Sequence, residues 1–120
     1  VLHSALARAD ADLFSFQVGP AARADLAGVT DLSPHLSDFA SSAAALSHMD
    51  LVVTVDTATL HLAGALGLPV WGLIAFAPDW RWLHRGDTSD WYPSLRIFRQ
   101  PASQDWLTVG DRIGAQIISW

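Results

Sequence analysis

In VDTATLHLAGALG (55–67) an aspartate and a threonine follow a β-branched run, and a lone histidine sits four residues after that threonine. Asp56 can cap the helix that begins here, or accept hydrogen bonds from sugar hydroxyls. The first N–H groups of a helix have no intrahelical partner and carry the positive end of its dipole. Thr57 and Ala58 are small, so a phosphate can approach the backbone closely. His61 lies one turn beyond Thr57 and shares its face. This pattern suits an anionic ligand held at a helix start. The plainer reading stays open: Asp56 as a cap only, and His61 as a hydrogen-bonded core histidine in a helix buried nearly all round by Leu60, Leu62, Ala63, Ala65 and Leu66.

Two other stretches can join such a site. In FSFQVGP (14–20) Gln17 ends a strand and Gly19 permits a sharp turn, against which a base or ribose can lie. In FAPDWRWLHRGDTSDWYPSL (76–95) Trp80, Trp82, Trp91 and Tyr92 share one loop with Arg81 and Arg85. A lid with aromatic faces for a sugar or base, and with Arg81 for phosphate, is one reading. Aromatics that pack the loop onto the sheet edge are the other. His3, His35, His48 and His84 have no metal-ligand spacing, so no metal site and no cofactor are expected. No nucleophile elbow is present.

These residues need elements to position them. Leu2–Arg8 reads as the end of a helix and 13–17 as a strand. Pro20 opens a helix that Gly28 stops, and 29–33 is a short strand. Residues 37–49 form a helix with Ser37 as its cap; Phe39, Ala43 and Leu46 recur at helical spacing. LVVTV (51–55) and VWGLI (70–74) read as strands buried on both faces. A helix lies between them over 57–67. A strand at 95–98 and a helix at 105–120 complete the chain. Strands alternating with helices mean an α/β domain with a mainly parallel sheet flanked by helices. Ligands of such sheets bind beyond the carboxyl ends of the strands, where the loops at 17–20, 56–58 and 75–93 lie.

The chain has 120 residues, which fits one domain, and a formal net charge of −5 from seven basic and twelve acidic side chains. Its arginines are scattered singly, so neither nucleic acid nor an anionic membrane is an expected partner. The absence of lysine removes Schiff-base and P-loop chemistry, and the absence of cysteine removes disulfides and thiol nucleophiles. No apolar run is long enough to span a bilayer, and a cytoplasmic location is expected. Starting on Val1 in mid-pattern, the chain reads as a fragment of something longer.

MDLVVTVDTATLHLAGALGLPVW together with PDWRWLHRGDTSDWYPSLRIFRQ resembles the C-terminal part of family 9 glycosyltransferases, the heptosyltransferase-like enzymes. The nearest likeness is to the form that follows tetratricopeptide repeats in bacterial proteins, and it covers about residues 10–118. The resemblance implies a Rossmann-like domain, the C-terminal half of a GT-B fold, that binds a nucleoside-diphosphate sugar. It implies that Asp56, Thr57, Ala58 and His61 meet the donor diphosphate and sugar, and that Gln17 and Gly19 lie near the nucleotide. Ala58 stands where the family often has glycine. No bound metal is implied.

The resemblance further implies that the acceptor domain with its catalytic base lies upstream, as does the domain's own first strand, which is normally central. The strands at 13–17 and 51–55 are then expected to pair directly, or a second chain covers the exposed edge. Two functions follow from this: the donor-binding half of an inverting glycosyltransferase, inactive alone, or a non-catalytic interaction module that keeps the fold.

Overall fold

The computed structural model describes residues 1–19, 26–83 and 85–120. The helix expected from Pro20 lies largely outside the described residues, and so does His84. In chain order the elements are α1 (Leu2–Leu6), β1 (Leu13–Ser15), β2 (Val29–Asp31), α2 (Phe39–Leu46), β3 (Val52–Val55), α3 (Ala58–Ala65), β4 (Val70–Ile74), β5 (Leu95–Arg99) and α4 (Trp106–Ile117). Single 3-10 turns occur at Ser33–His35 and Trp80–Trp82.

All strand pairs are parallel. β3, β4 and β5 form one sheet in that order, with Val52 opposite Val70 and Val70 opposite Leu95. All five residues of the central strand β4 are buried, as an apolar run covered on both faces should be. Strand alternation sends Val70 and Ile74 into a cluster with Leu46, Leu60, Ala63, Trp82, Leu95 and Ile97. Trp71 and Leu73 face the opposite cluster with Ala5, Phe98, Val109 and Ile113. Helices α2 and α3 thus cover one face, and α1 and α4 the other. Gly72 lets Leu60 of α3 reach the sheet: a Cβ there would stand 2.9 Å from Leu60 Cδ1 and 3.0 Å from Leu95 Cδ1. Each fully buried leucine or isoleucine on these faces contributes roughly 1.5–3 kcal/mol. The α/β class with parallel sheets flanked by helices is as the sequence indicates.

Four expectations are corrected. β1 and β2 form a separate two-stranded sheet, with Leu13 opposite Val29, and β1 does not pair with β3, which overturns direct pairing and leaves the alternative of a second chain on the edge standing. β1 is only three residues long, and its ladder continues toward β2, where Leu32 N–H donates to the Ser15 carbonyl. Among the described residues β3 has one strand neighbour and is an edge strand, and its far end, Val55, is exposed. α3 is not buried nearly all round: Ala58, Ala65 and Leu66 are exposed and its buried side is Leu60, Ala63 and Gly64. Finally, Asp38 and not Ser37 caps α2. Its carboxylate accepts from Ser41 N–H at 2.7 Å, and the Ser41 hydroxyl accepts from Asp38 N–H, closing a capping box.

Candidate functional site

β3 delivers Asp56 and Thr57 to the carboxyl edge of the three-stranded sheet, and α3 starts at once with Ala58. Thr57 is the N-cap residue, but its side chain caps nothing. Its hydroxyl turns back to Thr54 Oγ1 at 3.2 Å and toward the Val55 carbonyl at 3.4 Å. Among the described residues no side chain caps α3, so its first N–H groups face outward without a side-chain acceptor.

Asp56 does not cap this helix, which corrects one sequence expectation. Its Oδ2 instead accepts from the Trp82 indole N–H at 2.8 Å, and its Oδ1 lies 3.5 Å from His61 Nε2. His61 Nδ1 stands 2.8 Å from the Tyr92 hydroxyl. A carboxylate only accepts, so its attraction for Nε2 favours the tautomer with hydrogen there. Nδ1 then accepts from Tyr92. The imidazole is therefore held from two sides, and its ring is flanked by Trp82 at 5.4 Å and Tyr92 at 5.7 Å between centroids. It still keeps 37% of its side-chain surface exposed, and Asp56 keeps 36%. Histidine and aspartate are thus reachable from solvent, although both ring nitrogens already face partners within the chain.

The loop aromatics divide. Trp82 is 1% exposed and belongs to the core, whereas Trp80 and Trp91 are 66% and 54% exposed and meet edge to face at 5.8 Å. Arg81 lies with its guanidinium 4.8 Å over the Trp80 ring and its Nη1 3.0 Å from Asp79 Oδ1. The Arg81 backbone N–H, then the Arg81 charge and side-chain bond and the His61 imidazole, hold the Asp79 carboxyl below the usual range. Gln17 and Gly19 are exposed at the exit of β1; Gly19 has φ +69°, the left-handed turn expected of it. Phe16 beside them packs on the core cluster that holds Leu60. No hydrogen bond joins Gln17 or Gly19 to the Asp56–His61 group among the described residues.

Two further residues order the site and were not singled out from sequence. Tyr92 appeared there only as one aromatic of a loop, yet it is the hydroxyl partner of His61. Arg99, at the end of β5, donates to four carbonyls of the preceding loop: Gly86 at 2.8 Å, Leu83 at 3.0 Å, Arg85 at 3.1 Å, and Trp82. Burial pulls its pKa below the ordinary arginine value. The available signal was position: an arginine at the carboxyl end of a strand must meet the loops gathered there. Together Arg99 fixes the loop, the loop fixes Trp82, and Trp82 fixes Asp56. The arrangement can present the free N–H groups at the start of α3 to an anion, with a carboxylate alongside for hydroxyls, while the imidazole and the phenol direct their donors to Asp56 and to His61 Nδ1. Among the described residues no three His, Cys, Asp or Glu side chains form a metal-ligand cluster.

A family model described as glycosyltransferase family 9 (heptosyltransferase) matches residues 20–85, more than half of the chain. That segment contains Asp56, Thr57, Ala58, His61, Arg81 and Trp82; Gln17 and Gly19 precede it, and Tyr92 and Arg99 follow it. The chain is also similar to Protein FlbA of Caulobacter vibrioides, with 40% identity over 68 residues. The match takes in 57% of this chain and 11% of that protein, so the chain corresponds to a small part of its relative. No solved structure matches the chain.

Proposed function

The chain belongs to glycosyltransferase family 9, and on that premise we propose that it is a single nucleotide-sugar-binding domain, the C-terminal, donor-side half of a longer transferase. The observation that carries this reading is the uncapped start of α3, flanked by Asp56, His61 and Tyr92 at the carboxyl edge of a parallel sheet. The donor's diphosphate lies on the N–H groups of Ala58 and its neighbours. Asp56 takes sugar hydroxyls, since its charge repels phosphate. Gln17 and Gly19 border the nucleotide, and Arg81 turns from Asp79 to the phosphates.

In transfer, a base in the other half of the enzyme removes the proton of an acceptor hydroxyl. The resulting oxygen attacks the sugar carbon that bears the diphosphate, and the carbon–oxygen bond to the diphosphate breaks with inversion. Negative charge grows on the departing nucleoside diphosphate. In this reading the helix N–H groups, His61 turned from Asp56 and Arg81 turned from Asp79 meet that charge, so they act more strongly in the transition state than in the ground state. No metal is required in this scheme. The similarity to a small part of a longer protein supports a chain that works as one part of a longer protein; we place the acceptor domain upstream and the enzyme in the cytoplasm, where nucleotide sugars are soluble.

The test has two arms on the full-length protein. Nucleoside diphosphates titrated against it should bind, and the base preference should emerge from the series. His61→Ala should lower kcat about 100-fold, as loss of one preorganised charge-stabilising donor does, with a smaller effect on donor affinity. Unchanged turnover in that variant would remove His61 from the reading.

A second reading has its own observation. Both ring nitrogens of His61 already face partners in the chain. A domain that keeps the family fold for protein contact, without turnover, would need nothing more of this histidine. Failure of every nucleoside diphosphate to bind the full-length protein at millimolar concentration would favour it.

A further inference from the structure

A cleft of about 460 Å³ opens between the loops that follow β4 and β5 and shares no residue with the donor reading. Phe76 and Trp106 form its aromatic walls, Gln100, Ser103 and Gln104 supply its polar groups, and no charged side chain lines it. Gln100 is 6% exposed. Its Oε1 accepts from the Phe76 N–H at 3.0 Å, which settles which end of the amide is oxygen. Its Nε2 is buried and has no hydrogen-bond partner among the described residues. A buried amide donor is rarely left in that state, and it asks for an oxygen acceptor. Nearby, Gln104 holds φ at +64°, a left-handed conformation that a residue with a side chain adopts only at a cost.

These features select a ligand class. An anion finds no cation in the cleft. A purely apolar molecule leaves Gln100 Nε2 unsatisfied. A nucleobase suits the aromatic walls but brings a charged phosphate tail into a neutral site. A pyranose ring meets every condition: one face presents C–H bonds to aromatic rings, its edge presents hydroxyl oxygens, and it is uncharged. We propose that this cleft is a saccharide-binding site, with the sugar's C–H face on Phe76 and Trp106, one of its oxygens accepting from Gln100 Nε2 once a shift of that side chain brings the buried group to the cleft, and Ser103 and Gln104 meeting the remaining hydroxyls. The inference does not rest on nucleotide binding elsewhere in the chain.

Saturation-transfer NMR on the full chain, with methyl α-glucopyranoside, methyl β-galactopyranoside and N-acetylglucosamine as probes, tests it. At least one probe should receive saturation on its ring protons at millimolar concentration. Phe76 is 57% exposed, so Phe76→Ala removes a wall without touching the core, and it should weaken that probe about tenfold, the scale of one ring-stacking contact. Gln100→Glu keeps an oxygen for the Phe76 N–H but removes the donor, and it should weaken the same probe about fivefold. His61→Ala should leave probe binding unchanged. The proposal is overturned if no probe is saturated, if Phe76→Ala binds like the parent, or if His61→Ala abolishes binding. A crystal soaked in the probe that shows only water on Gln100 Nε2 also overturns it.

Discussion

Tyr92 occupies the space that a side chain at Gly64 would need: a Cβ there would lie 2.6 Å from Tyr92 Cγ and 2.8 Å from both Cδ atoms. Gly64 is one turn beyond His61 on α3, so the same close approach brings the Tyr92 hydroxyl to the imidazole. Gly64→Ala should push the ring off the helix and separate it from His61. The expected loss is roughly 1–3 kcal/mol, the usual result of overpacking a tight contact. Thermal denaturation measures it, and a melting temperature equal to the parent's would contradict the geometry.

Tyr92→Phe separates packing from hydrogen bonding at the same place. The ring stays against Gly64, but His61 Nδ1 loses its partner. The site is only partly buried, so water replaces the phenol in part, and a loss of about 1 kcal/mol is expected. The nitrogen shifts of His61 in NMR should move as well. Unmoved shifts would mean that the phenol does not donate to His61 Nδ1.

Arg99→Lys keeps the charge but loses the planar fork that reaches four carbonyls. A lysine can satisfy fewer of them in fixed directions. Stability should fall by about 1–3 kcal/mol in chemical denaturation. Trypsin should also cut after Arg85 faster than in the parent. Equal cleavage rates would show that the guanidinium does not hold this loop.

Acid should weaken the helix starts. Asp105 caps α4 by accepting from the Thr108 hydroxyl at 2.7 Å and the Thr108 N–H at 3.0 Å. The Thr108 hydroxyl first, and then its N–H, hold the Asp105 carboxyl below its ordinary value of 3.8. Ser41 does the same for Asp38. A carboxyl whose pKa is depressed on folding stabilises the fold above its unfolded value, and that contribution is lost as pH falls through the folded value. Melting temperature should therefore drop as the pH is lowered below 3.8. Asp105→Asn keeps a capping oxygen but cannot titrate, so its acid-induced drop should be smaller. An identical pH profile in the variant would exclude Asp105 as a contributor.

The sheet was legible where local composition and burial agree. VWGLI is β4 because five consecutive apolar residues can only be covered from both sides, and β5 and α4 follow from equally local signals. β3 misled for a physical reason: Val52–Val55 has the composition of a central strand but one strand neighbour, and neighbours are set by topology and not by the strand's own residues. Trp80 and Trp82 differ in burial although they stand two residues apart in one motif, because a 3-10 turn sends one side chain inward and the other out. The pairing of His61 with Tyr92 spans 31 residues and leaves no periodic trace. Gln100 is similar: its missing partner is visible only once the chain has closed around it.

The grip of Arg99 on the backbone also decides what kind of gate this edge of the molecule can have. Swinging the carbonyls of Trp82, Leu83, Arg85 and Gly86 outward would strip one guanidinium of four acceptors together and unseat a buried indole in the same stroke. That stretch therefore behaves as masonry. Trp80 and Trp91, exposed and in edge-to-face contact with each other, lie outside that grip, so either ring can rotate while the hydrogen bonds of Arg99 and the sheet stay still.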